Sequence, residues 1–169
     1  MIHLMGKCML LVGCAALGVR HALELKRRTF CLEGFRTALE ILERELAFAS
    51  PPVAVLLSRM QEGSRGPARA FLETCAARFQ QGEDSRWTTA WRETLEEAQL
   101  PIRPEDRRLL AETADVLGKY DEDSQRLAVR RLLVRLEEQI GLSREEAKRM
   151  GRVFGTLGVA GGLFCMILL

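Results

Sequence analysis

The apolar and polar residues of this chain are sorted first by position and then by phase. No ionised side chain occurs from Cys8 to Val19 or from Val153 to Leu169, while the sequence between them is densely charged. As a helix, residues 153–169 would extend about 26 Å at 1.5 Å per residue, against a hydrocarbon core of about 30 Å. Arg152 can snorkel at the near end. A helix apolar on every side needs either lipid or a core larger than this chain can build. Residues 153–169 are therefore expected to form a C-terminal transmembrane helix, and residues 1–19 an N-terminal one, interrupted by Lys7. The first segment also has signal-peptide character in Ala15, Ala16 and Gly18. The run from Arg20 to Arg28 enters an amphipathic pattern without a turn signal, which favours an uncleaved anchor. Gly151/Gly155 and Gly158/Gly162 each have G-x-x-x-G spacing, suited to close helix packing in lipid.

Residues 20–152 carry the phase of an all-α domain. Leu32, Phe35, Leu39, Leu42 and Leu46 recur at steps of three and four, a single helical stripe over 32–49. Ser50-Pro51-Pro52 should end that helix and start a short one at Ser50 or Pro51, bearing Val53, Leu56, Leu57 and Met60. Residues 62–67 read as a turn, and Pro67 opens a helix with Phe71, Leu72, Cys75 and Phe79 facing inward. Asp84 or Ser85 can cap the next, whose face is Trp87, Trp91, Leu95 and Ala98. Both tryptophans fit a core better than a ligand platform. After a linker over 100–104, Leu109, Leu110, Thr113, Val116 and Leu117 mark a fifth helix, which Gly118 can end or pinch. Asp123 or Ser124 is suited to cap a long last helix carrying Leu127, Leu132, Val134, Leu136 and Ile140. A pause is expected near 141–143, where Ser143 and Glu146 have capping-box spacing. No segment alternates long enough for a sheet, so the expected architecture is a small helical bundle with a transmembrane helix at either end.

Charge sets the orientation and removes several functions. Arg20, Lys26, Arg27 and Arg28 follow the first span, and Arg144, Lys148, Arg149 and Arg152 precede the second. Basic flanks stay in the cytoplasm, which places the central domain there and both termini across the membrane. The net charge is only +2, and acidic residues interleave the basic ones, which speaks against nucleic acid. Five cysteines without a C-x-x-C pair give neither a disulfide framework nor a zinc site. His3 and His21 lie near the membrane boundaries, and no phosphate-cradling glycine loop is present. Paired carboxylates such as Asp121/Asp123 and Glu145/Glu146 fit solvated helix surfaces, so no catalytic, cofactor or metal site is expected. A membrane-anchored enzyme or enzyme regulator stays a minor alternative.

Certain segments resemble the stage III sporulation protein AB family along essentially the whole chain. They are G-K-C-M-L-L-V-G-C, G-R-V-F-G-T-L-G-V-A-G-G-L-F, the leucine-and-glutamate helix from Leu39 to Leu46 followed by Ser50-Pro51, and above all V-L-G-K-Y-D-E-D-S-Q. The last places Leu117, Gly118, Asp121 and Gln125 on the family's L-G-x-x-D-x-x-x-Q positions. The short first span with Lys7 departs from that pattern. The resemblance implies a cytoplasmic helical domain like that of type II secretion and type IV pilus inner-membrane platform proteins. It further implies a place in the mother-cell-derived membrane around the forespore, within a secretion-like complex. The implied partners are a cytosolic assembly ATPase and other membrane components, with the bilayer itself and a homo-oligomer as further contacts. A passive scaffold without ATPase coupling is the alternative. Leu117, Gly118, Asp121 and Gln125 would fix the approach of the last two domain helices or meet a partner.

Overall fold

The computed structural model describes the backbone of residues 2–48, 51–81, 86–119 and 122–168, with side chains described outside 2–19, 21, 117–119, 122–123, 152 and 154–168. Among these residues every regular element is helical: α1 (Ile2–Phe48), α2 (Val53–Gly63), α3 (Gly66–Gln81), α4 (Trp87–Glu97), α5 (Pro104–Lys119) and α6 (Glu122–Leu168). The chain divides into two compact units, residues 28–141 and the paired segments 1–27 with 142–169, and α1 and α6 each contribute to both. Among the described residues no helix is long and apolar enough to cross a membrane. The side chains of 2–19 and 154–168, on which the expected spans rest, lie outside that description.

In the unit 28–141 the core follows the stripe read from the sequence. Cys31, Leu32, Phe35, Leu39, Leu42 and Leu46 of α1 are buried, as are Leu56, Leu57 and Met60 of α2 and Phe71, Leu72 and Cys75 of α3. Helices α2 to α5 pack consecutively. The ion pairs Arg36–Glu137 (3.5 Å) and Arg130–Glu43 (3.1 Å) set α1 and α6 antiparallel beside each other. Three aromatic contacts run through the interior, with Phe35–Phe71 centroids 5.2 Å apart, Phe71–Trp91 4.8 Å and Trp87–Trp91 4.7 Å. The edge-on pairs Phe35–Phe71 and Phe71–Trp91 add roughly 0.5–1.5 kcal/mol each beyond burial. The Trp91 indole N–H donates to the Leu110 carbonyl at 2.8 Å, so the ring is satisfied within the core.

Several boundaries differ from the sequence reading. α2 starts at Val53, because Pro52 forces Pro51 out of the helical region and is itself extended at φ −53°, ψ 144°. The Pro52 carbonyl then accepts from the Val55 and Leu56 amides. Glu62 and Gly63 belong to α2, leaving Ser64 and Arg65 as the break before α3. α6 starts at Glu122, so Asp123 and Ser124 are helical positions rather than caps. The expected pause near 141–143 is absent, since α6 is helical throughout. One glycine costs a helix only about 1 kcal/mol, and buried Ile140 and Ser143 hold the phase on both sides of Gly141. Leu127 and Val134 are exposed rather than in the core. The buried stripe of α6 is Val129, Leu132, Leu136 and Ile140, and at 100° per residue both fall on the opposite face. The capping candidates Ser50, Asp84 and Ser85 lie outside the described residues.

Candidate interaction surface

The most specific polar arrangement is buried where three helices meet. Arg28 of α1 is 4% exposed and Asp106 of α5 is 0% exposed. The guanidinium forks onto the carboxylate, with Nε donating to Oδ2 at 2.7 Å and Nη2 to Oδ1 at 2.8 Å. Nη2 also donates to Gln139 Oε1 of α6 at 3.2 Å. Asp106 is the third residue of α5, and its Oδ2 accepts the Arg103 backbone N–H at 2.9 Å, one half of a capping box. One carboxylate thus starts α5 and locks it to α1. Arg107 turns the other way. Its guanidinium donates to the Leu95 carbonyl near the end of α4 and, at 3.0 Å, to the Ala98 carbonyl, which also accepts the Leu100 amide at 3.0 Å. These contacts hold the helices in register, and neither offers a substrate access to a reactive group.

The remaining chemistry is equally quiet. Cys31 and Cys75 are free and buried. Burial, and secondarily the Asp106 charge, pushes the Cys31 thiol up to about 12. Burial pushes Cys75 up to about 12 as well, against smaller lowering by the Thr94 hydrogen bond and Arg78. Neither thiol is a nucleophile at neutral pH. Among the described residues no group of His, Cys, Asp and Glu is placed to hold a metal ion. The surface is instead tiled with ion pairs, among them Arg92 on both oxygens of Asp115, Arg59–Glu45, Arg78–Glu97 and Arg135–Glu112. Such exposed pairs contribute little each.

A family model described as stage III sporulation protein AB matches residues 3–169. The chain belongs to that family. Stage III sporulation protein AB of Bacillus subtilis (strain 168) is 22% identical over 171 residues, covering 100% of this chain and 99% of that protein. A solved structure of stage III sporulation protein AB (SpoIIIAB) superposes with a TM-score of 0.66 at 21% identity, over 72% of this chain and 97% of that one. The likeness establishes a shared helical fold.

In this member of the stage III sporulation protein AB family, the residues singled out in sequence are only partly visible. Asp121 lies outside the described residues, and Leu117 and Gly118 belong to α5 with their surroundings outside the description. Gln125 is half-buried in the first turns of α6. An added Cβ at Gly151 would meet nothing within 4 Å. The surroundings of Gly155, Gly158 and Gly162 lie outside the description. The buried node escaped the sequence reading, which placed Arg28 among the basic residues flanking the first span. A signal was available. Arg28 is in phase with Leu25, Leu32 and Phe35, and Asp106 with Leu109, Leu110 and Thr113, so opposite charges occupy core positions on two stripes.

Proposed function

We propose that this chain is a membrane platform component of the secretion-like complex that acts in stage III of endospore formation. Apolar segments at residues 1–19 and 153–169 anchor it in the mother-cell-derived membrane. Its helical domain, over 20–152, faces the mother-cell cytoplasm and docks or couples a cytosolic assembly ATPase to membrane components. The observation that carries this reading is the charge layout: a family member whose ends hold no acidic residue and only Lys7 as a basic one, around a densely charged helical domain. The family assignment supplies the developmental stage. The buried Arg28–Asp106–Gln139 node ties α1, α5 and α6 together beneath the surfaces that would meet a partner.

The test is site-specific photo-crosslinking in sporulating cells, with probes at Arg36, Arg92, Asp121 and Arg130. Capture of the assembly ATPase, varying with its nucleotide state, is expected. Capture of membrane components alone, with the complex intact, would contradict coupling and leave a passive scaffold.

A further inference from the structure

We infer that the outer face of the first turns of α6 is a docking surface for an acidic amphipathic helix of another protein. From Ser124 to Leu136 the helix carries four arginines, Arg126, Arg130, Arg131 and Arg135, and no carboxylate. Two of these are committed within the domain, Arg130 to Glu43 and Arg135 to Glu112. Arg126 and Arg131 are exposed, and among the described residues no carboxylate pairs with either. Between them on the same face stand Leu127, 50% exposed, and Val134, 56% exposed. These two are seven residues apart and therefore one above the other on the helix. Two aliphatic side chains in line, bordered by arginines that no carboxylate among the described residues engages, call for apolar residues at the same spacing flanked by carboxylates.

Other occupants fit less well. A lipid surface needs a broad apolar helix face, whereas the broad face of α6 (Val129, Leu132, Leu136 and Ile140) is already in the core. A second copy anchored in the same bilayer would run its α6 parallel, bringing arginines against arginines. That exclusion rests on the membrane reading proposed above; the charge and exposure of the face do not.

The experiment uses the full chain in sporulating cells, with photo-reactive residues at Leu127 and Val134 and a comparison probe at exposed Glu73 on α3. Adducts from Leu127 and Val134 should map to a helical segment rich in Asp and Glu. R126E/R131E should lower their yield about tenfold, as loss of complementary charge slows encounter, with an unchanged melting temperature. Reversing the charges of the captured segment should restore the yield to R126E/R131E. Capture of a neutral or basic segment, a second copy or lipid overturns the proposal. Capture of the assembly ATPase from Glu73 alone overturns docking on α6 and leaves the ATPase reading standing, and silence at every probe in an assembled complex overturns both.

Discussion

Individual side chains set how this domain fails. Asp106 is 0% exposed and serves both the Arg28 guanidinium and the Arg103 amide. Asp106→Ala strands a buried charge, so urea denaturation should show a loss of about 3–5 kcal/mol. Arg28→Met combined with Asp106→Leu should cost less than Asp106→Ala alone, because no charge is left uncompensated. An equal or larger loss in the double variant would show that the pair is net stabilising. The buried thiols give a pH signature. An ordinary thiol ionises near 9.0, while Cys31 and Cys75 hold their protons to about 12. A raised folded pKa leaves stability intact below pH 9, after which it declines as pH rises through 12. Unfolding free energies at pH 8 and pH 10.5 should therefore differ more in the wild type than in C31A/C75A. An identical slope would refute the assignment.

At the scale of elements, glycines mark both the tightest and the loosest places. A Cβ at Gly34 would lie 2.8 Å from Ala68 Cβ and 2.9 Å from the Arg65 carbonyl oxygen. α1 and α3 can approach this closely only without that methyl, so Gly34→Ala should cost about 1–3 kcal/mol by thermal denaturation. Gly66 has φ +60°, and its missing Cβ makes room for the Phe30 ring. Gly141 is the opposite case, a helical residue with nothing within 4 Å of an added Cβ. Gly141→Ala should stabilise by about 0.5–1 kcal/mol. The apolar phase made the helices legible: Leu32 to Leu46, Trp87–Trp91–Leu95 and Leu109–Leu110–Val116 could be placed on inner faces from spacing alone. What spacing could not carry was competition. Leu127 and Val134 are apolar but off the stripe set by Val129 and Leu132, and the Gly141 interruption is too cheap to stop a helix with buried residues on both sides. Arg28 was hidden by composition, since a basic residue close to an apolar segment has an ordinary reading as a membrane flank.

For the whole molecule, the account depends on where the helical domain hangs. In the proposed function, the two apolar ends and basic flanks put it on the cytoplasmic side with both termini across the bilayer. The decisive measurement is protease protection of the full chain carrying an epitope at each terminus, expressed in non-sporulating cells so that the far side of the membrane is the cell exterior, in intact spheroplasts and after lysis, with alkaline carbonate extraction of the membranes. The account predicts a chain that resists carbonate, loses both epitopes to protease added outside intact cells, and yields its central domain to protease only after lysis. A chain released by carbonate, or one whose termini stay protected until lysis, would contradict it.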